Sequence, residues 1–294
     1  MNSILLSFDA EPGAAALAHA LSLPSLAISR HRFPDGEIKL TLPTTHAEHT
    51  IIYRGLEQPN DKLIELLLAA RTARQLGARR LTLIAPYLAY MRQDMAFAPG
   101  EAVSQGIVGA FLADLFDDLI TVDPHLHRTD TLAKAVPARQ AIAVSAADAI
   151  GRYLAGLHSD LVLVGPDAEA EQWVARAAAA AACPHLVCHK ERHGDREVEV
   201  ELETAGDVHG KHCVIVDDVA STGRTVAACA TLLLARGARR VDVAVTHALF
   251  VGDALEVLAA SGVGEVISTD AIVHPSNRIA LAPLLAQAVR SLHD

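Results

Sequence analysis

The sequence predicts an α/β protein of two domains, each a mainly parallel sheet flanked by helices. Short apolar runs alternate with Ala/Leu-rich amphipathic segments from end to end, which is the signature of βαβ units. The 294 residues are enough for two domains of about 150 residues, each with its own core. The halves also echo one another. Gly77-Ala-Arg-Arg-Leu-Thr-Leu83 returns 160 residues on as Gly237-Ala-Arg-Arg-Val-Asp-Val243. Asp118-Leu-Ile-Thr-Val-Asp-Pro-His-Leu-His127 returns 147 residues on as Glu265-Val-Ile-Ser-Thr-Asp-Ala-Ile-Val-His274. The 13-residue difference puts extra length in the first half, around Pro86–Glu101. The boundary is expected near 140–147, giving domains 1–144 and 145–294.

In order, the apolar run Ile4–Phe8 reads as the first strand and Pro12–Leu21 as a helix. Leu26–Ser29 and Ile38–Leu42 bracket a tight loop, Arg32-Phe-Pro-Asp-Gly-Glu37, and Thr50–Tyr53 is a further strand. Asp61–Leu76 carries apolar residues at 63, 64, 66, 67 and 70, a helical spacing. Leu81–Ala85 and Leu119–Val122 are buried strands on either side of a loop and the helix Val103–Leu115. The second half repeats the theme with helix Ala146–Leu154, strand Leu161–Val164 and helix Glu169–Ala182. Leu186–Cys188 leads into the charged segment Lys190–Glu203, read as a mobile hairpin. Strand, loop and helix follow over 213–236, then strands Val241–Thr246 and Val266–Thr269 and a closing helix, Leu281–Leu292.

Composition excludes several classes. A hydrophobic content of 51% with 20% charged residues is that of a compact protein. The net charge of −10 argues against a nucleic-acid surface, which needs clustered Lys and Arg. No apolar run is long enough to span a membrane, and the N-terminus meets Asp9 and Glu11 with no basic region ahead of them, so a cytoplasmic location is expected. Cys183, Cys188, Cys213 and Cys229 suit that compartment as reduced thiols. The spacing of Cys183 and Cys188, even with His185 and His189 nearby, matches no strong zinc pattern.

Chemistry concentrates at strand ends. Leu81–Ala85 runs into Pro86-Tyr-Leu-Ala-Tyr-Met-Arg-Gln-Asp94, and Leu119–Val122 into Asp123-Pro-His125. Leu161–Val164 runs into Gly165-Pro-Asp167, and Leu186–His189 into Lys190-Glu-Arg192. Cys213–Val216 runs into Asp217-Asp218 and the loop Val219-Ala-Ser-Thr-Gly-Arg-Thr225. In an open parallel sheet, ligands bind beyond the carboxyl ends of the strands, so five such ends predict one cleft. The last loop suits a phosphate. It feeds a helix N-terminus with open N–H groups, Gly223 lets the backbone close on an anion, and Ser221, Thr222 and Thr225 add donors. Each end alone is adequately explained as a solvated loop; the set is not.

Those motifs, in that order, resemble the ribose-phosphate pyrophosphokinase family over essentially the whole chain. The resemblance implies two phosphoribosyltransferase-like domains, in keeping with the echoes. It also implies Mg²⁺-dependent transfer of the diphosphoryl group of ATP to the 1-hydroxyl of ribose 5-phosphate, giving phosphoribosyl pyrophosphate (PRPP) and AMP. Phe33, Asp35, Gly36 and Glu37 would form an adenine site supplied by a neighbouring subunit, with Phe33 stacked on the base and Arg92 and Gln93 completing the nucleotide site. A homo-oligomer, at least a dimer, follows. His125 and Asp167 are the implied metal contacts, although Mg²⁺ prefers oxygen, so the support for His125 is the resemblance; His127 is the alternative to it, and Asp123 is either a second carboxylate or a cap in its turn. Lys190 and Arg192 would contact the transferring group, Arg192 also reaching the ribose phosphate. Asp217 and Asp218 would hold the ribose hydroxyls, and Ser221, Thr222, Gly223, Arg224 and Thr225 the 5-phosphate.

The chain departs from the common bacterial pattern in three places. Ser221 stands where Asp is usual, an archaeal-like feature, and Arg224 where a small residue is usual. Met95-Ala-Phe-Ala-Pro-Gly-Glu-Ala-Val-Ser104 lacks basic residues, and Ala168-Glu-Ala-Glu-Gln-Trp173 replaces a glycine-rich stretch. These departures bear on the diphosphate donor, allosteric behaviour and assembly. Two rival readings are a non-catalytic regulatory relative and a PRPP-consuming phosphoribosyltransferase. The retained Lys190, Arg192, His125, Asp167 and Asp217 oppose the first; the FPDGE and RQD elements oppose the second.

Overall fold

The computed structural model describes residues 3–8, 11–44, 47–126, 128–157, 160–193, 197–202 and 207–292, and of 189–193 and 197–202 the backbone alone. Asp9 and His127 lie outside the described residues. Contacts divide the chain into two compact units, Met1–Val144 with Leu281–Asp294 and Ser145–Ala280.

The first unit holds a seven-stranded sheet in the order β3-β2-β1-β4-β5-β6-β7. Its strands are β1 (Ser3–Phe8), β2 (Ser25–Arg32), β3 (Ile38–Thr41), β4 (His49–Tyr53), β5 (Arg80–Ala85), β6 (Asp118–Val122) and β7 (Gln140–Val144). Every pairing is parallel except the β2–β3 hairpin. β4, β5 and β6 are buried along their whole length, which explains why they read as unbroken apolar runs rather than alternating ones. Helices α1 (Pro12–Leu21), α2 (Pro59–Gln75), α3 (Ser104–Leu115) and the single turn α4 (Leu132–Ala135) link them.

The second unit repeats that plan in the order β10-β9-β8-β11-β12-β13-β14. Here the strands are β8 (Leu161–Gly165), β9 (His185–His193), β10 (Glu197–Leu202), β11 (His212–Ala220), β12 (Arg240–Ala248), β13 (Val263–Thr269) and β14 (Asn277–Ile279). Its helices are α5 (Ala147–Leu157), α6 (Glu171–Ala181), α7 (Arg224–Ala235) and α8 (Ala254–Ala260), and α9 (Ala282–Arg290) closes the chain. The only antiparallel pairing described is again the hairpin, β9–β10. The sheet order makes both units the expected α/β architecture.

The sequence echoes mark equivalent turns and ion pairs. Gly77 (φ 103°) and Gly237 (φ 86°) each end a helix in the left-handed region that glycine tolerates. Arg80 Nε lies 2.6 Å from Asp118, and Arg240 lies 3.7 Å from Glu265. A histidine opens the neighbouring strand in each unit, His49 Nε2 lying 2.8 Å from Thr82 Oγ1 and His212 Nε2 2.7 Å from Asp242.

The closing helix departs from expectation: α9 groups with the first unit, not with residues 145–280. α5 packs on α6 and β14 in the second unit, whereas α9 packs on α1 and β7 in the first. Each unit thus covers the helix after its first strand with another helix, and the first unit takes its cover from the end of the chain. Arg290 donates to the Ala20 carbonyl at 2.6 Å, tying α9 to the last turn of α1.

A buried charge cluster lies where β4 meets α2. Glu65, 1% exposed, accepts from both Arg30 and Arg54, and Arg54 also reaches Glu11 at 3.2 Å. Burial pushes the Glu11 carboxyl up to about 7, against the pull of Arg54. A carboxyl whose folded pKa exceeds its unfolded value stabilises the fold below the unfolded pKa and loses that contribution as pH rises through the folded one. The stability difference between Glu11→Gln and the parent chain is therefore expected to grow in favour of the variant by about 3 kcal/mol between pH 4.5 and 8. Urea unfolding across that range measures it; a pH-independent difference would contradict the burial argument.

Candidate active site

β11 is the element that positions the paired acids and the loop that follows them. Its apolar residues are buried, and the strand continues through both acids, Asp217 pairing with Val245 and Val219 with His247 on β12. The sequence reading ended this strand at Val216. It runs on because β12 supplies backbone partners as far as Ala248. Asp218 is buried, 2% exposed, while Asp217 is half-buried.

Asp217 accepts the Asp218 N–H at 2.9 Å, and its carboxyl is pushed well above the usual range, first by burial and then by the charges of Asp218 and Asp167. Asp167, at the end of β8, accepts the Glu169 N–H at 3.2 Å and so starts the short 3₁₀ turn Ala168–Ala170. The charges of Asp218 and Asp167 both act on Asp217, and carboxylate oxygens are the hard ligands that Mg²⁺ prefers. Among the described residues no three acidic, histidine or cysteine side chains form a closed metal cage. Mg²⁺ ordinarily takes only one or two carboxylates plus water and phosphate oxygens, so the donor set fits.

The loop after β11 is clamped from one side. The Ala220 and Ser221 carbonyls each accept an N–H at 3.0 Å, from Phe250 and Val251 respectively. Gly223 is the N-cap of α7 at φ 71°, and a Cβ there would meet the Ala254 carbonyl oxygen and Leu258 at 3.3 Å. No side chain caps α7 and its first turn carries no acid, which leaves the positive end of a 12-residue helix facing the loop. Ser221 and Thr225 are half-buried and Thr222 is exposed. Arg224, 66% exposed, pairs with Asp253 at 3.0 Å rather than turning into the loop.

Sequence reasoning missed Phe250, Val251 and Asp253. They belong to no motif and matter only because the fold lays them beside Ala220–Arg224. Phe250 sits at φ 34°, and its echo Tyr90 at φ 66°, just ahead of Arg92; Asp123, just ahead of His125, sits at φ 35°. Left-handed backbone at residues other than glycine is strained and clusters at functional segments.

In the first unit the ends of β5 and β6 are tied together. Asp94 accepts from the Arg128 guanidinium at 2.8 Å and from its N–H at 3.2 Å. Gln105 Nε2 donates to the Met91 carbonyl at 3.0 Å, and Gln105 Oε1 accepts from Thr129 Oγ1 at 2.8 Å. Gln93 Nε2 donates to the Met95 carbonyl at 3.0 Å, leaving Arg92 exposed and His125 half-buried. The Phe33–Glu37 turn caps the β2–β3 hairpin, closed by Phe33 N–H to the Glu37 carbonyl at 2.8 Å and Gly36 N–H to the Phe33 carbonyl at 3.0 Å. Glu37 N–H donates to Asp35 at 3.2 Å. Phe33 is 40% exposed, with one ring edge against His31 at 4.7 Å. A cavity of about 300 Å³ beside this turn is lined by Gly36, Glu37, Arg32, Ile38 and the α2 residues Asp61 and Ile64.

The five strand ends therefore divide between two sheets, β5 and β6 on one and β8, β9 and β11 on the other. Duplication shares the motifs between the two sheets. Lys190 and Arg192 fall on β9, in register with Val200 and Val198 of β10, in the hairpin equivalent to the one that bears Phe33–Glu37. Their side chains lie outside the described residues.

Comparison with known proteins agrees with this layout. Residues 4–115 match the family described as the N-terminal domain of ribose phosphate pyrophosphokinase, and residues 141–256 the phosphoribosyl transferase domain. The ribose-phosphate pyrophosphokinase of Methanopyrus kandleri is 36% identical over 280 residues, 94% of each chain. That of Saccharolobus solfataricus is 35% identical over 262 residues, 87% of this chain and 88% of the relative. The crystal structure of phosphoribosylpyrophosphate synthetase from Mycobacterium smegmatis superposes with a TM-score of 0.84 at 27% identity, covering 99% of this chain and 98% of that one. No described helix is long and apolar enough to cross a membrane. Two units of one strand order, the motifs at their strand ends and relatives matched along nearly their full length place the chain in the ribose-phosphate pyrophosphokinase family.

Proposed function

We propose that this chain transfers the β,γ-diphosphoryl group of ATP to the 1-hydroxyl of ribose 5-phosphate, yielding PRPP and AMP. The observation that carries the proposal is the acid pair of β11 leading into the uncapped N-terminus of α7. That arrangement offers carboxylates to sugar hydroxyls and backbone donors to a terminal phosphate in one continuous stretch. Asp217 and Asp218 hold the 2- and 3-hydroxyls, and Ser221, Thr222, Gly223 and Thr225 receive the 5-phosphate. Arg224 would join the phosphate only by leaving its pair with Asp253.

The nucleotide is held by Arg92 and Gln93, whose loop is braced by Asp94 and Gln105, and by Phe33, Asp35, Gly36 and Glu37 of the β2–β3 turn. An exposed phenyl face on a rigid turn suits base stacking, and supply of that turn by a second copy makes the working form at least a dimer. Asp167 and His125 are the candidate Mg²⁺ ligands; the ion would neutralise polyphosphate charge and acidify a hydroxyl near it. In the transfer, the 1-oxygen bonds to the β-phosphorus, the bond from that phosphorus to the oxygen shared with the α-phosphate breaks, and AMP leaves while the hydroxyl proton is lost. Such a step needs alignment and placed cations more than covalent help, and Lys190 and Arg192 supply them.

Purified protein given Mg²⁺, ATP and ribose 5-phosphate is expected to form AMP and PRPP in equal amounts. Chromatography of the nucleotides with coupled detection of PRPP reads both. ADP as the product, or no turnover with any nucleoside triphosphate, would sink the proposal.

A further inference from the structure

Three of the four cysteines are buried in the core of the second unit. Cys188 projects from β9 and Cys229 from α7, and their sulfurs lie 3.1 Å apart with no solvent exposure on either residue. A disulfide holds its sulfurs about 2.05 Å apart, so about one ångström of approach separates this contact from a bond. The pair is asymmetric. The hydrogen bond between them holds Cys188 below the ordinary thiol range, and the same contact, with burial, pushes Cys229 up. The contact places each sulfur where it can intercept a sulfenic acid formed on the other.

We propose that Cys188 and Cys229 are a reversible disulfide site that joins strand β9 to helix α7. With a hydroperoxide as oxidant, the Cys188 thiolate bonds to one peroxide oxygen, the O–O bond breaks and a first water leaves. The Cys229 sulfur then displaces the hydroxyl from the resulting sulfenic acid, forming the S–S bond and a second water. The thiols lose two electrons and two protons, and hydrogen peroxide is reduced to two waters. Hydrogen peroxide is small enough to enter through the local openings that cores undergo.

The position of the pair gives the bond a consequence. Cys188 is two residues ahead of Lys190 on the same strand, and Cys229 is one helical turn beyond Thr225. A bond here fixes the root of the β9–β10 hairpin to the helix behind the phosphate loop. This consequence rests on the function proposed above; the bond itself does not.

The test exposes the reduced full-length chain to hydrogen peroxide under native conditions, alkylates the remaining thiols, and maps non-reduced peptides by mass spectrometry. The expected result is the loss of two hydrogens and a Cys188–Cys229 peptide that dithiothreitol dissolves. Cys183→Ser and Cys213→Ser should still form it, and Cys188→Ala and Cys229→Ala should not. Circular dichroism checks that each variant folds, and the unmodified chain decides the question if one does not. Failure to form the cross-link, or pairing of Cys188 with Cys213, overturns the site. Turnover should fall on oxidation and return on reduction; an intact cross-link with unchanged turnover overturns the restraint on the hairpin. A chain with no activity in either state fails the functional reading, while the peptide map still decides the disulfide.

Discussion

Replacing Lys190 with alanine is expected to lower kcat for diphosphoryl transfer by about a hundred- to a thousandfold, with a much smaller change in KM for ribose 5-phosphate. The separation between the two constants is the diagnostic. A cation that meets the transferring group only as charge develops on it contributes to the transition state and little to the bound substrate. The β9–β10 register places Lys190 opposite Val200 and Arg192 opposite Val198, two positions apart on one strand. Arg192→Ala is expected to raise KM for ribose 5-phosphate as well as lower kcat, because the proposed site has it share the acceptor phosphate. Steady-state kinetics with circular dichroism as a folding control reads both. A Lys190→Ala enzyme that kept its rate would remove the hairpin from the chemistry.

Gly151→Ala is expected to destabilise the protein by about 3 kcal/mol, the upper end of what overpacking costs. On most exposed helical positions the same change stabilises. At Gly151 a Cβ would lie 2.1 Å from the Ala177 carbonyl oxygen and 3.0 Å from the Ala180 side chain, so α5 and α6 would have to separate. The obstacle is largely backbone, which cannot swing aside as a flexible side chain can. Gly156, on the same helix, has nothing within 4 Å of its would-be Cβ. Gly156→Ala is therefore the matched control, expected to be neutral or stabilising by up to about 1 kcal/mol. Urea midpoints for the two variants should move in opposite directions or by very different amounts. Similar small shifts would mean that α5 and α6 yield more easily than their packing indicates.

Legibility followed the range of the interaction involved. The strand, loop and helix of 213–225 could be read directly, because buried β-branched residues, a glycine at positive φ and a helix start are local properties. The same holds for the Phe33–Glu37 turn, whose closing hydrogen bonds join residues only a few positions apart. β7, β14, α4 and α8 were missed: each is short, and half-buried stretches such as Gln140–Val144 carry no clear period. Asp217 and Asp218 lie beyond the strand end at Val216 that the apolar run Cys213–Val216 predicts. The strand continues past them only because β12 offers partners that lie some 30 residues on.

The alternation of apolar runs with amphipathic helices, together with the two internal echoes, determined the α/β class and the duplicated plan before any coordinate was known. The motif order determined the family. Tertiary structure alone decided that α9 covers α1, that Asp253 takes up Arg224, that Asp94 ties the ends of β5 and β6 through Arg128, and that Cys188 meets Cys229. Each of these is a contact between residues far apart in the chain. Such contacts are set by which faces remain to be buried and which polar groups remain to be paired once the sheets have formed, and neither can be read from a local window of sequence.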